Sequence, residues 1–60
     1  KIAQKVVEEA GELAIAAVQR DLDNLVEEAA DLFYHSLVAL AEADVPLKRV
    51  WSELDRRRRV

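Results

Sequence analysis

Apolar residues recur every three or four positions through most of this chain, and very little interrupts them. The 60 residues contain one Gly, one Pro and no Cys. A spacing of three to four places apolar side chains on one face of an α-helix, whereas a strand would show strict alternation, which is absent here. The spacing therefore predicts an all-α chain. Because the sequence contains no Cys, it has neither a disulfide framework nor a cysteine metal site.

Three helices follow from this pattern. The first covers residues 1–19, and its apolar face is predicted to contain Ile2, Val6, Ala10, Leu13, Ala14 and Ala17. The second runs from about Leu22 to Ala43, with Asp21 as its N-cap and Asp23 in its first turn. The third is about Pro46–Arg57, because proline fits a first helical turn. The connections are short and favour antiparallel neighbours, so we expect an antiparallel bundle of three helices per chain.

The small size of the chain predicts association. Residues 1–60 can form one domain, which at this size buries only about 60% of its unfolded surface. Helix 2 is apolar on more than one side, so two short helices cannot cover it. We therefore expect dimerisation to complete the bundle, as a symmetric homodimer or higher homo-oligomer with helix 2 near the axis. The chain starts at Lys1 in helical pattern without an initiator Met, so we also expect an N-terminal segment before it.

Charge and hydropathy narrow the classes of partner. Twelve acidic and nine basic residues give a net charge of −3, which does not favour nucleic-acid binding. No apolar run approaches the ~20 residues of a membrane span, and no signal-peptide pattern is present. We expect a cytoplasmic protein that binds neither nucleic acid nor membrane.

A line of polar residues lies beside the apolar face of helix 2. Glu28, Asp31, His35 and Glu42 are spaced by 3, 4 and 7 positions, which places them within roughly 60° of arc. Apolar residues flank this line on both sides, so we expect it to be partly buried. A buried carboxylate has to be paired, protonated or bound to a metal ion.

Helix 1 carries a second acidic group. Glu9 and Glu12 lie at the edge of its apolar face, whereas Glu8 points further toward solvent. If the two helices pack antiparallel, these two carboxylates can converge with Glu28 and Asp31. Four oxygen donors in one small volume would suit Mg²⁺. Many such pairs on helices are simply solvated, so the spacing alone leaves both interpretations open.

Two further features have more than one interpretation. We interpret His35 as a hydrogen-bonded core or interface histidine and leave a ligand role open. We interpret Arg56–Arg59 as a solvated helix end, where cations suit the helix dipole. The alternative is that these arginines hold a phosphate or an acidic neighbour.

The acidic positions together resemble a known superfamily. The pattern K-x-x-E-E-x-x-E, followed by E-x-x-D, is present as Lys5, Glu8, Glu9, Glu12, Glu28 and Asp31. It is similar to that of the all-α NTP pyrophosphohydrolases, which include MazG-type enzymes and dimeric dUTPases. The segments KIAQKVVEEAGELAIAA, EEAADLFYHSLVAL and VPLKRVWSELDRR resemble one branch in particular, the phosphoribosyl-ATP pyrophosphohydrolases.

The resemblance implies a Mg²⁺-dependent hydrolase of histidine biosynthesis that cleaves phosphoribosyl-ATP to phosphoribosyl-AMP and pyrophosphate. By the motif, the metal ligands would be Glu9, Glu12, Glu28 and Asp31. Glu8 and Glu9 would be the catalytic acids, with Glu8 supporting the site or orienting water, and Lys5 would meet a substrate phosphate. Such chemistry needs positioning and charge neutralisation more than a covalent nucleophile, so water is the expected nucleophile and a carboxylate its proton acceptor.

Two alternatives remain beside this reading of the motif. A MazG-type house-cleaning enzyme would use the same acids on (d)NTP substrates. A protein of another class, a non-catalytic helical assembly module, would carry acids that are paired by Lys and Arg.

One departure from the family pattern concerns glycine. The family usually has Gly just before the two adjacent acids and a larger residue after them, whereas here these positions are Val7 and Gly11. They lie four residues apart on one face. We therefore expect a close helix approach to have moved by one turn, to Gly11.

Overall fold

The computed structural model describes residues 1–59, and within them it contains three helices and no strand. Helix α1 spans Ile2–Gln19, α2 spans Leu22–Glu42 and α3 spans Leu47–Arg58. The all-α class and the three helices are confirmed, with bounds within one residue of those predicted. The antiparallel bundle and its completion by dimerisation stay predictions.

Local chemistry accounts for where the helices begin and end. Arg20 ends α1 in the left-handed conformation (φ 59°), where its N–H donates to the carbonyls of Ala16 and Ala17, although no glycine is available for this position. Asp21 caps α2 as predicted, since its side chain accepts from the N–H of Asn24 at 3.4 Å. Pro46 is the N-cap of α3 with extended backbone (ψ 143°), so the predicted start of this helix was one residue early.

The buried face of α1 differs from the predicted one. Ala10, Ala14 and Ala17 are exposed, whereas Glu9 and Ala16 are the two buried residues of the described chain. The least exposed positions of α1 are Ile2, Val6, Glu9, Leu13 and Ala16. Their spacing of 4, 3, 4 and 3 is that of a helix packed lengthwise along a partner. The contact with α2 therefore determines which face of α1 is buried, and the number of apolar residues on a face does not.

Helix α2 supplies the other side of this contact. Half-buried residues recur along it with the matching spacing of 3, 4, 3 and 4, at Leu25, Glu28, Leu32, His35 and Ala39. We call these two sets of residues the α1–α2 seam. It is the one extensive helix–helix contact within residues 1–59. Glu9, Glu28 and His35 therefore occupy core positions of the seam.

Large apolar side chains outside the seam stay exposed. Phe33 on α2 is 69% exposed, Trp51 on α3 is 59% exposed and Val18 on α1 is 83% exposed. Gly11 also faces open space, because a Cβ added there would meet no atom within 4 Å. The expectation of a close helix approach at Gly11 is therefore wrong within the chain. No helix in residues 1–59 is long and apolar enough to cross a membrane.

Candidate functional site

The centre of the seam contains an ionisable pair that joins α1 to α2. His35 Nδ1 lies 2.5 Å from Glu9 Oε1 and 3.1 Å from the carbonyl oxygen of Asp31, one turn earlier on α2. The carbonyl can only accept, so Nδ1 must carry a hydrogen and donate it. Glu9, a buried acid, thus receives the hydrogen bond that a buried carboxylate requires.

A second group of acids lies in the same part of the seam, around Glu28. Partial burial raises the pKa of the Glu28 carboxyl above its usual value, and the negative charges of Glu12, Asp31, Glu9 and Glu27 raise it further, in that order. Both burial and nearby like charge disfavour the charged form of a carboxyl group. All four predicted metal ligands therefore share one region of negative potential.

The four predicted metal ligands share this region but do not come close enough together to form a metal site. Across residues 1–59, no three His, Asp or Glu side chains are placed together as metal ligands. Glu12 and Asp31 are exposed, Glu28 is half-buried, and one oxygen of Glu9 faces His35. The donors are all carboxylate oxygens, and their chemistry fits a hard cation such as Mg²⁺. The assignment of the four ligands stays a prediction.

Glu8 and Lys5 lie outside the seam. Both are exposed, and Glu8 accepts a hydrogen bond from Gln4 Nε2 at 3.1 Å, which confirms that this acid points toward solvent. The Lys5 ammonium makes no salt bridge within the described residues. It lies one turn before Glu9 on α1, and its charge can reach an anion at this edge of the seam. The roles of both residues stay predictions.

The end of α3 shows the predicted exposed arginines, and each is paired with an acid of the preceding turn. Arg56 and Arg57 donate to Glu53, while Arg58 and Arg59 donate to Asp55. Arg56 and Arg57 lower the pKa of the Glu53 carboxyl through these hydrogen bonds. The arginines are exposed, as predicted, and they are also paired with acidic neighbours, as one of the alternatives proposed; these neighbours lie in α3 itself.

The sequence pattern does not predict the Glu9–His35 pair, although it favours a hydrogen-bonded histidine at position 35. The pattern puts Glu9 at the edge of one helix and His35 in the polar line of another. The signal that could have joined them is the 4-3-4-3 spacing that puts Glu9 in the same row as Val6 and Leu13. A core position with a carboxylate requires a donor on the facing helix.

Comparison with known proteins gives consistent matches. The profile of the family described as "Phosphoribosyl-ATP pyrophosphohydrolase" matches residues 1–58. Proteins named phosphoribosyl-ATP pyrophosphatase are similar over 95% of this chain: that of Methylobacterium nodulans is 58% identical, that of Agrobacterium fabrum 54% and that of Rhodobacter capsulatus 58%. The matched segment covers 53–55% of these relatives, so the chain spans about half of their length. No solved structure matches the chain.

Proposed function

The chain belongs to the phosphoribosyl-ATP pyrophosphohydrolase family, and from this membership we propose that the full encoded polypeptide hydrolyses phosphoribosyl-ATP to phosphoribosyl-AMP and pyrophosphate. The family match over residues 1–58 is the observation that carries the proposal. The raised pKa of Glu28 supports it, because the acids that add to the effect of burial include the other three predicted metal ligands. This activity would place the protein in histidine biosynthesis, in the cytoplasm.

The proposed cofactor is Mg²⁺, held by Glu9, Glu12, Glu28 and Asp31. When bound, it would polarise a phosphoryl oxygen and lower the pKa of a water molecule. Without a cation the four carboxylates repel one another, and this repulsion adds to the effect of burial in raising the pKa of Glu28. A cation would favour the Glu28 anion and lower its pKa.

The other residues of the motif would handle the substrate and water. Lys5 is exposed and charged, so it can bind an oxygen of the triphosphate. Glu8 is exposed beside Glu9 and would orient the attacking water or support the site. A carboxylate would accept the proton that this water loses.

The proposed assembly is a homodimer of antiparallel helices, with α2 near its axis. The exposed apolar side chains of α2 support this, because covering their remaining exposed surface would give part of the ~1.5–3 kcal/mol that full burial of such a side chain contributes. The large ones on α2 are Leu22, Val26, Phe33, Tyr34 and Leu37. Light scattering at micromolar concentration should give at least twice the chain mass. Phe33→Glu should reduce this mass, whereas the matched change Val18→Glu on α1 should not.

The test of function is a turnover assay on the full encoded polypeptide. Phosphoribosyl-ATP, NTPs and dNTPs are each incubated with and without Mg²⁺, and pyrophosphate release is followed. We expect Mg²⁺-dependent release from phosphoribosyl-ATP alone. Release from nucleoside triphosphates instead would indicate a MazG-type house-cleaning enzyme. No release from a folded protein in Mg²⁺ would indicate a non-catalytic assembly module.

Substitutions of single acids test the metal site. Glu28→Gln and Asp31→Asn should each remove most of the Mg²⁺-dependent turnover. Glu27→Gln is the matched control, because Glu27 also raises the pKa of Glu28 but is no predicted ligand. Equal losses in Glu27→Gln and Glu28→Gln would show that only the total negative charge matters, which contradicts the assigned ligands.

A further inference from the structure

The Glu9–His35 pair fixes which oxygen of Glu9 is engaged within the chain. His35 Nδ1 contacts Glu9 Oε1 at 2.5 Å and the Asp31 carbonyl at 3.1 Å, so a single N–H is shared between two acceptors. This assignment holds whether or not Nε2 is protonated, because the carbonyl has no hydrogen to offer. Glu9 Oε2 makes no hydrogen bond among the described residues.

The surroundings hold this arrangement in place. The side chains of His35 and Glu9 are only 21% and 11% exposed, and they project from two different helices of the seam. The ring of Tyr34 meets the ring of His35 edge-on, at 5.0 Å between centroids and 77° between planes. A rotation of either side chain would leave a buried carboxylate oxygen without its donor, which is costly.

The number of free oxygens on a carboxylate affects which cation it suits. Ca²⁺ accepts six to eight oxygens in flexible geometry and often takes both oxygens of one carboxylate, whereas Mg²⁺ requires a near-octahedral shell of single oxygens. We propose that His35 is a positioning residue whose N–H engages Glu9 Oε1, so that Glu9 binds a cation through Oε2 rather than through both oxygens and favours Mg²⁺ over Ca²⁺. This inference rests on the proposed metal site.

Two substitutions that branch at the same atom and have the same number of side-chain heavy atoms separate the N–H of His35 from its shape. His35→Asn keeps an N–H donor near the position of Nδ1, and His35→Leu has none. Binding of Mg²⁺ and of Ca²⁺ to the full encoded polypeptide is measured by titration calorimetry, without substrate. We expect the ratio of the two dissociation constants to shift toward Ca²⁺ by about tenfold in His35→Leu, since loss of a group that orients a ligand typically changes metal affinity 10–100-fold. His35→Asn should keep most of the wild-type ratio.

The possible results are distinct. Equal weakening of both cations in His35→Leu, or the same shifted ratio in His35→Asn, would overturn the inference, because the N–H would then have no selective role. Binding of neither cation by the folded wild-type protein would overturn the proposed metal site itself, and the inference with it. If His35→Leu does not fold by circular dichroism, His35→Ser replaces it, since its hydroxyl is attached one bond nearer to the backbone than Nδ1 and should give the same shift.

Discussion

Gly11→Ala should stabilise the protein, and this result would show whether the surface of α1 at Gly11 is free or lies against a second chain. Gly11 lies in the interior of α1, within Ile2–Gln19, and does not have a positive φ. A Cβ at this position would meet no atom within 4 Å, so alanine adds no clash and gains no contact. The change then acts through the unfolded chain, because glycine loses more conformational freedom on helix formation than alanine does. The gain should be about 0.5–1 kcal/mol per chain.

Thermal unfolding followed by circular dichroism at 222 nm measures this gain. For a domain of this size, 1 kcal/mol shifts Tm by about 4–8 °C, so the expected rise is about 2–8 °C at fixed protein concentration. Ala10→Gly is the matched control, because Ala10 is the exposed neighbour in the same turn and should lose what Gly11→Ala gains. A fall in Tm for Gly11→Ala would refute the reasoning. It would mean that Gly11 lies against a second chain, at the close helix approach that its place in the motif suggested.

Three further changes test the seam, a helix end and the ion pairs of α3. Ala16→Leu should destabilise the fold by about 1–3 kcal/mol in urea unfolding, because Ala16 is 1% exposed and added methyl groups at an enclosed position force neighbouring side chains to shift. Ala17→Leu at the exposed neighbouring position should cost far less, and equal costs would contradict the observed face. Arg20→Gly should raise Tm, since Arg20 has a left-handed backbone that costs a residue with a Cβ about 1–2 kcal/mol, and an unchanged Tm would refute this. The arginine partners of Glu53 lower the pKa of its carboxyl below 4.5, so this acid adds stability that is present above pH 4.5 and is lost as the pH falls through the lowered pKa. The stabilities of the wild type and Glu53→Gln, followed against pH at low salt, should therefore differ above that range and converge below it. Parallel curves would contradict this expectation.

The sequence predicted the helices well because their determinants are local. Asp21 lies within three residues of the N–H that it caps, and the connection after α2 contains Pro46, which has no N–H to continue a ladder. The buried face of α1 was predicted less well. The alanines at 10, 14 and 17 contribute to the apolar periodicity, although each can bury only a small area. The face that packs against α2 is instead the one that contains Glu9.

In the candidate site, too, features within one helix are predictable from the sequence, whereas contacts between the two helices are not. The polar line of α2 was evident from its spacing, and the partial burial of Glu28 and His35 confirms that part of the prediction, whereas Asp31 and Glu42 are exposed. The bond to Glu9 joins residues that are 26 positions apart. It depends on how far one helix is shifted along the other, which no pattern within a single helix determines.

The α1–α2 seam thus contains polar residues that lower the stability of the fold. A chain of 60 residues has few core positions, and here three of them hold Glu9, Glu28 and His35, while only Ala16 is an apolar residue of the described chain that is fully enclosed. Buried polar pairs can often be replaced by apolar residues of similar volume at no loss of stability, and the raised pKa of Glu28 shows that its charge is a further cost. Functional sites are where such local conflicts are expected. The proposed dimer and the proposed cation would offset this cost, the first by burying exposed apolar side chains such as Phe33 and the second by neutralising the acids. Association would cover α2, and a cation would bind acids of both α1 and α2, so both should stabilise α2.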